Sequence, residues 1–459
     1  MSRRPIHIIA ISTLANRRLA FAVLVTIIVA LVIDTSVIRI YNVNFKQLPL
    51  EWRTIVFIAI SCICVAGLYI ILEFTKQQTR ELRSLGLVRL RVLAKLVPVS
   101  VLLLTLIVGL VIFEIVFTSK YSVLFLKAVT WISYSTAAFS MILLSYTFFA
   151  WFNSDRNLVV LLYGLSSAVL AINCGFTIAY ANFLLANEPL YVVPHMGAGY
   201  PFFSIGWLTG LVEHGYTVSS ILSFMLWWAA AVSVLRHYSE KSNQNKKVWI
   251  LLCIPLTYFL LQFQPLFLNL FSSLLISEPI AFSVIYTITF TLSKPVGGIL
   301  FAAAFWAIAR KLSYNTAVRR YMTISAYGIV LMFFSNQAVL LASAAYPPFG
   351  LATILFMGLS SYLVFVGIYS SAISISNDRE LRVSIRHLAL KDMKLLDSIG
   401  TAQVEQEISK RVLTVVKKNQ NILTERTGIE SSLTDKDMKE YLEEVLQEVS
   451  SFRTKSQDK

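Results

Sequence analysis

The chain contains about ten apolar stretches, each long enough to cross a lipid bilayer, and this feature limits its fold more than any other. In hydrocarbon, every backbone N–H and C=O must be hydrogen-bonded within its own segment or within a closed barrel. The stretches are continuous and lack the alternation of a barrel strand, so they predict helices. We therefore expect an all-α, polytopic membrane bundle of about ten transmembrane helices with a small cytoplasmic helical tail. The predicted spans are 19–33, 54–74, 96–118, 129–151, 158–185, 216–235, 248–270, 295–309, 321–344 and 350–371.

Composition agrees with a membrane protein and argues against a soluble one. Of the 459 residues, 56% are hydrophobic and only 14% are charged, whereas an ordinary soluble domain carries about 25% charged residues. The charge density rises again near residue 375. We therefore expect a cytoplasmic N-terminus at 1–18, a transmembrane domain at 19–374 and a cytoplasmic helical tail at 375–459.

Basic residues are concentrated in every second connection between the predicted spans. One set of connections, together with the N-terminus, holds 19 Lys and Arg residues, and the alternate set holds 6. Cytoplasmic loops carry the excess of positive charge in membrane proteins, so both ends of the chain are predicted to lie in the cytoplasm and the protein in the cell membrane. The net charge of +15 is scattered over these short loops, which indicates contact with the lipid bilayer rather than with nucleic acid.

The tail has the pattern of amphipathic helices. A helix at 379–397 is predicted to continue directly from the tenth span, and a last helix is predicted near 438–449. Between them, apolar residues recur at helical spacing, at Val404, Ile408, Val412, Val415 and Ile422. About 80 residues in three helices make a marginal core. We therefore expect the tail to dock on the membrane domain, to self-associate or to bind a protein partner through 376–451.

Polar residues inside the predicted spans are the first candidates for a functional site, because such residues are rare in hydrocarbon. They are Asn173 and Asn182 in the fifth span, Gln262, Gln264 and Asn269 in the seventh, and Asn336 and Gln337 in the ninth. They indicate either hydrogen bonds between helices or a path for a polar ligand. Nine positions separate the first two, which places them on opposite faces of one helix.

Two charged residues fall within or beside the spans. Glu114, near the outer end of the third span, is expected to form an interfacial ion pair with Lys120 or Lys127 of the same outer loop, and the alternative is a proton-carrying carboxylate. Lys294 opens the eighth span, and we expect its long side chain to extend outwards to the interface.

Two outer segments, 186–215 and 276–294, are long and apolar. The first is predicted to form an interfacial or re-entrant cap on the outer face, and residues 281–292 of the second are predicted to form either a short interfacial helix or part of an extended eighth span. Four titratable residues of the first segment could contact a ligand: Glu188, His195, Glu213 and His214. Their spacing matches no established metal-ligand pattern, so we predict no metal and no cofactor. The chain also lacks a phosphate-binding loop, a nucleophile elbow and a His-Glu-x-x-His motif, so no enzymatic activity is predicted.

One part of the sequence resembles a known group of proteins. The residues concerned are Tyr-Pro-Pro-Phe-Gly at 346–350, Ser-Ser-Tyr at 360–362, Gly-Ile-Tyr-Ser-Ser-Ala at 367–372, Leu-Leu-Asp-Ser-Ile-Gly at 395–400 and Thr-Gly at 427–428. This last quarter of the chain resembles uncharacterised multi-spanning membrane proteins of ammonia-oxidising archaea. The resemblance implies ten spans followed by a tail, and it implies no activity and no site.

Two functions fit this layout. A non-enzymatic membrane sensor or scaffold would engage a partner through the cytoplasmic tail, because the tenth span leads towards a helix that could pass on a small shift. The alternative is a secondary transporter with a polar path between the fifth, seventh and ninth spans. The near absence of charge inside the spans favours the first.

Overall fold

The computed structural model describes residues 21–36, 49–80, 88–186, 188–194, 207–239, 245–312, 316–338, 341, 345–389 and 394–427. The predicted N-terminal segment 1–18, His195 and the predicted last helix lie outside these residues. Within them the chain is helical, apart from turns, short connections and one two-residue pair of strands.

The helices follow one another along the chain with short connections. They are α1 (Phe21–Ser36), α2 (Leu50–Gln78), α3 (Val88–Thr118), α4 (Val123–Asp155), α5 (Leu158–Ala186), α6 (Trp207–Ser239), α7 (Asn245–Leu261), α8 (Gln264–Ser277), α9 (Pro279–Lys311), α10 (Ala317–Ser335), α11 (Leu351–Ile354), α12 (Phe356–Asn377), α13 (Arg379–Ala389) and α14 (Lys394–Thr427). Strands β1 (Tyr121–Ser122) and β2 (Tyr191–Val192) pair antiparallel.

Seven helical segments of the described chain are long and apolar enough to cross a membrane. They are Leu50–Gln78, Leu90–Thr118, Val123–Asp155, Leu158–Ala186, Gly210–Arg236, Val284–Lys311 and Leu351–Asn377. The protein is thus an all-helical integral membrane protein, as the sequence predicts. The helices at the first, seventh and ninth predicted spans are not among these seven, and the ten-span count stays a prediction.

The seventh predicted span is wrong as a continuous helix. It is broken after Leu261, where the N–H groups of Gln262 and Phe263 donate to carbonyls three residues earlier, at 3.3 and 3.2 Å. Such bonds tighten the last turn of a helix. A new helix, α8, then begins with Pro265 in its first turn, where a residue without an N–H is tolerated.

The eighth and ninth predicted spans also differ from the observed helices. The α9 helix begins at Pro279 and has 33 residues, so the segment at 281–292 extends the eighth span, which is the second of its two predicted alternatives. The α10 helix ends at Ser335, and Asn336 and Gln337 lie just beyond it rather than inside a span.

The bundle has two distinct ends. The α3–α4 and α5–α6 connections meet through β1 and β2, and the Tyr121 hydroxyl donates to the Ala345 carbonyl between α10 and α11 at 2.8 Å. We call this the strand end. At the other end the Arg320 side chain donates to Gln78 at 3.3 Å. We call this the basic end, because Lys76, Arg156, Arg236 and Arg310 mark it.

The helix α12 lies at the centre of the bundle, with its apolar window entirely buried. Small residues allow α10 to approach it closely, as is usual between membrane helices. A Cβ on Gly328 of α10 would lie 2.8 Å from both the Leu363 Cβ and the Val364 nitrogen. A larger residue at this position would therefore push the two helices apart.

A buried carboxylate ties α1 to the start of the last span. Asp34 accepts hydrogen bonds from the Gly350 N–H at 2.9 Å, and from the N–H and hydroxyl of Thr353 at 2.9 and 2.8 Å. The first N–H groups of a helix lack partners inside it, and a carboxylate satisfies them well. Asp34 thus caps α11 from another part of the chain.

The tail docks on the basic end of the bundle. The indole N–H of Trp151 in α4 donates to Gln403 of α14 at 3.1 Å, and the Asn157 amide donates to Ser398 at 2.7 Å. The predicted direct continuation from the tenth span is wrong, because Asp378 has extended backbone and separates α12 from α13. Helix α13 then ends at Ala389.

The first part of α14 is buried, and the described side chains after it are half-buried or exposed. Leu396, Ile399 and Ala402 are buried, whereas Ile408, Val412 and Val415 of the predicted stripe are exposed. The start of α14 therefore docks on the bundle, whereas these three residues of the predicted stripe face away from it.

Candidate functional site

Two helix interruptions in the described chain, the break between α7 and α8 and the end of α10, border a cavity with a volume of about 150 Å³. It lies between α5, α6 and α9, the α7–α8 break and the end of α10. Its lining residues are Tyr180, Glu213, Tyr216, Thr217, Ser220, Gln262, Phe263, Phe290, Lys294 and Gln337. Irregular backbone at membrane depth occurs where it is covered by protein or faces a cavity, so the two interruptions and the cavity belong together.

Lys294 is the central charge of the cavity. Its side chain is only 7% exposed, and its ammonium donates to the Asn336 carbonyl at 2.9 Å and to the Tyr216 hydroxyl at 3.4 Å. The same ammonium lies 5.6 Å from the centre of the Tyr216 ring. The expected outward extension of this side chain is wrong, since the carbonyl at the end of α10 attracts the ammonium inwards.

The interrupted helices are held in place by side-chain hydrogen bonds to α9. Gln262, at the α7–α8 break, accepts from the Ser293 hydroxyl at 2.8 Å. Gln337, just beyond α10, donates to the Thr291 carbonyl at 3.1 Å. The two amides therefore fix both interruptions around the same turn of α9, which is the turn that carries Lys294.

A second, smaller space continues behind Lys294. Its volume of about 10 Å³ is close to what a single water molecule requires. Asn173 and Asn336 line it. The Asn173 amide donates to the Tyr216 carbonyl at 3.2 Å and to the Ser219 hydroxyl at 3.0 Å. These contacts extend the polar region from α9 across to α5.

Three buried polar atoms around these two spaces have no hydrogen-bond partner among the described residues. They are the amide oxygens of Asn173 and Gln337 and the hydroxyl of Ser223. Buried polar groups are nearly always hydrogen-bonded in proteins, so a cluster of exceptions needs a reason. A polar ligand or water in the cavity would supply the missing partners.

An aromatic layer closes the cavity on the side of the basic end. The Phe224 and Phe259 rings are stacked, with centroids 3.8 Å apart, and Phe301 packs against Phe333 at 4.9 Å. Gly297 follows Lys294 by three residues, and a Cβ there would overlap the Phe224 ring. The glycine thus allows the aromatic layer to reach α9 one turn from the charge.

The cavity lies towards the strand end of the bundle. On α6, its lining residues run from Glu213 to Ser220, far along the helix from Arg236 at the basic end. Glu213 is only half-buried, and the helix α6 continues to Trp207 beyond it. The acidic residue therefore lies on the side of the cavity nearer the strand end.

The structure brings together several of the residues predicted from the sequence. Gln262, Gln337, Glu213 and Lys294 line the main cavity, and Asn173 and Asn336 line the smaller one. Tyr180, Gln262 and Gln337, which come from the regions predicted as the fifth, seventh and ninth spans, thus line one cavity. A solute path between these spans stays a prediction.

Other predicted residues lie apart from the cavity. Asn182 donates to the Ile178 carbonyl of its own helix at 2.9 Å, Asn269 is exposed, and the Gln264 side chain lies outside the described part. The predicted ion pair of Glu114 with Lys120 or Lys127 is not found among the described residues. Instead Glu114 accepts from the Ser122 N–H at 2.8 Å.

Three of the four predicted outer-cap residues, Glu188, Glu213 and His214, lie in the described part of the chain, and their surroundings differ. Glu188 follows the end of α5, and burial raises the pKa of its carboxyl group above the ordinary range. His214 is exposed and its ring contacts the Gly210 carbonyl at 2.6 Å, whereas Glu213 lines the cavity. Among the residues that the structure describes, no group of three His, Cys, Asp or Glu side chains is placed to hold a metal ion.

The side of the cavity formed by α6 was not predicted from the sequence. Tyr216, Thr217 and Ser220 line the cavity beside Glu213. With Ser223, they recur at intervals of three and four residues in an otherwise apolar helix. This spacing places them on one helix face, and it could have identified the wall.

Comparisons with known proteins found no match to this chain, neither a protein-family model nor a curated protein nor a solved structure. The resemblance to membrane proteins of ammonia-oxidising archaea therefore stays a prediction, and the geometry of the cavity carries the argument about function.

Proposed function

We propose that this protein is a secondary transporter that takes a small polar solute into the cavity around Lys294. The observation that carries the proposal is a buried ammonium in a polar cavity where two helices are interrupted. Ionisable groups at membrane depth mark solute and ion pathways, and interrupted helices form the central binding sites of many transporters. The proposal includes no catalytic step and no cofactor.

The orientation of the protein is part of the proposal. We place the protein in the cell membrane. The excess of basic residues at the basic end indicates that this end faces the cytoplasm. The strand end, nearer the cavity, then faces outwards. The aromatic layer that includes Phe224 and Phe259 separates the cavity from the cytoplasm. Transport requires this layer to open when the outer side closes.

Thiol labelling in membrane vesicles tests the proposal. The four native cysteines, Cys62, Cys64, Cys174 and Cys253, are first replaced by serine, and Thr217→Cys then places one thiol in the cavity. A charged, membrane-impermeant thiol reagent is applied to right-side-out and to inside-out vesicles. A transporter exposes its cavity alternately to both sides, so labelling is expected in both kinds of vesicle.

The matched control is Ser361→Cys, at a buried position of α12 away from the cavity, which is expected to remain unlabelled. Labelling of the cavity thiol from the outside alone would contradict transport and would favour a receptor with a fixed binding pocket. Absence of labelling from either side would show a closed, dry bundle.

A sensor or scaffold that acts through the tail is the second candidate function. The observation that favours it is the exposed part of the stripe, formed by Ile408, Val412 and Val415 of α14. Exposed apolar stripes on helices are typical of surfaces that bind another protein or a second copy of the chain. The double substitution Ile408→Lys and Val415→Lys is expected to reduce the mass of the purified complex, measured by light scattering. An unchanged mass would argue against this function.

A further inference from the structure

We propose that the cavity binds a small zwitterion of the amino-acid type. Its carboxylate lies on the Lys294 ammonium, and its ammonium faces Glu213 and the amide oxygen of Gln337. This inference names the solute class of the cavity and so rests on the proposed function.

The carboxylate position follows from the hydrogen bonds of Lys294. An ammonium has three N–H donors, and two of them reach the Asn336 carbonyl and the Tyr216 hydroxyl. No carboxylate of the described chain lies within salt-bridge distance of Lys294. The third donor and the unpaired charge are therefore available to a carboxylate in the cavity. Such a charge-assisted hydrogen bond is stronger than a neutral one.

The ammonium position follows from two acceptors that line the cavity, one on α6 and one just beyond α10. Glu213 is the one carboxylate among the lining residues, and within the described chain it forms no ion pair. The Gln337 side chain is 5% exposed, and its amide oxygen accepts no hydrogen bond from the residues described. The Glu213 carboxylate and the Gln337 amide oxygen can accept hydrogen bonds but cannot donate them, so they suit a ligand that carries N–H groups.

Aromatic rings in the cavity lining fit the same ligand. Tyr180 and Tyr216 are stacked with ring centroids 5.3 Å apart, and both line the cavity together with Phe263 and Phe290. The face of an aromatic ring attracts an ammonium group. The walls therefore favour a cationic group of the ligand as well as its carbon atoms.

Charge balance separates a zwitterion from a simpler ion. A carboxylate without an ammonium would pair with Lys294 but leave Glu213 and the Gln337 oxygen without a partner. An amine without a carboxylate would place a second positive charge beside Lys294. Charges taken out of water are tolerated when each has a partner, and a zwitterion pairs both. The cavity volume of about 150 Å³ restricts the ligand to a small one.

Ligand-dependent stability of the full chain in lipid nanodiscs tests this inference. Glycine, L-alanine, β-alanine and 4-aminobutyrate vary the distance between the two charges, and acetate and ethylamine each carry one of them. At equal concentrations we expect at least one amino acid to raise the unfolding temperature and neither single-charge compound to do so. Isothermal titration then measures the affinity of the amino acid with the largest effect.

Substitutions of the two charges provide the second arm of the test. Lys294→Gln and Glu213→Gln are each expected to weaken amino-acid binding by about tenfold or more, because each removes one charged partner. In Glu213→Gln, acetate is expected to bind at least as well as the amino acid. The matched controls are Arg310→Gln, at an exposed position of the same helix as Lys294, and Glu278→Gln, an exposed acid. Both controls are expected to bind like the wild type.

Several outcomes would overturn the inference. It fails if no amino acid changes the unfolding temperature, if acetate or ethylamine is as effective as the amino acids, or if the Glu213 substitution leaves amino-acid affinity unchanged. Labelling of the cavity from both sides without amino-acid binding would reject the zwitterion and retain transport. Amino-acid binding with labelling from one side would retain the zwitterion and reject transport.

Discussion

The Lys294 ammonium donates a hydrogen bond to the backbone carbonyl of Asn336 at 2.9 Å, so a charge on α9 sits at the point where α10 ends. The carbonyl end of a helix carries partial negative charge and is satisfied by a cation. The interaction joins two features that are unusual inside a membrane, a buried lysine and a helix that ends within the predicted span. It places them in the wall of one cavity.

Lys294→Met is expected not to lower the free energy of unfolding of the ligand-free protein, and it can raise this free energy by about 1 kcal/mol or more. The substitution removes one hydrogen bond to Asn336, worth about 1–3 kcal/mol if its acceptor is left buried. It also removes the desolvation of a charge that has no carboxylate partner, which amounts to several kcal/mol. Functional residues often reduce stability in this way. Chemical unfolding in detergent, beside the exposed control Arg310→Met, measures the difference. A clear loss of stability would show that Lys294 is mainly structural.

Asp34→Ala is expected to lower the free energy of unfolding by about 2–4 kcal/mol. The substitution leaves the Gly350 N–H and both donors of Thr353 without their acceptor in a buried place, and each unsatisfied donor costs about 1–3 kcal/mol. Asp34→Asn keeps one acceptor oxygen, so its loss is expected to be smaller. Thr26→Ala, in the same helix at a position whose hydroxyl bonds only its own helix, is the control. Equal unfolding free energies for Asp34→Ala and the control would show that the α11 cap contributes little.

Gly328→Ala is expected to destabilise the bundle by about 1–3 kcal/mol. The added Cβ would lie 2.8 Å from the Val364 nitrogen, and inserting a methyl group into a packed core shifts the neighbouring backbone. Gly109 of α3 provides a matched control, because a Cβ there meets nothing within 4 Å. Gly109→Ala is expected to be neutral or slightly stabilising, since alanine favours the helix. Unfolding temperatures of both variants check the contrast, and equal temperatures would contradict the observed contact of α10 with α12.

Gln403→Leu is expected to release α14 from the basic end of the bundle. The substitution leaves the buried indole N–H of Trp151 without its acceptor, which costs about 1–3 kcal/mol. Limited proteolysis of the purified protein should then cut within α14 several times faster than in the wild type. Gln406→Leu changes the same residue type one turn away, at a half-buried position, and should leave the cleavage rate unchanged. Similar rates for both variants would mean that other contacts hold the tail.

Sequence alone determined the class of this protein. Each membrane helix satisfies its backbone within its own segment, so a continuous apolar run reports a helix without knowledge of its neighbours. Asn173, Gln262, Asn336 and Gln337 could be identified for the same reason, because polar residues stand out in such runs. The break after Leu261 also has a local signal in Pro265, although the sequence analysis extended the span across it.

Only the tertiary structure decided which of these residues meet. Lys294 contacts Tyr216 on α6 and Asn336 just beyond α10, which are both far along the chain from it, and no local pattern records such packing. From the local sequence, the expected partner of the Lys294 charge is water outside the bilayer. In the folded bundle, the carbonyl at the end of α10 and the Tyr216 hydroxyl lie closer to the ammonium than that water. The direction of this one side chain, and with it the presence of a charged cavity, is set by the packing of α6, α9 and α10.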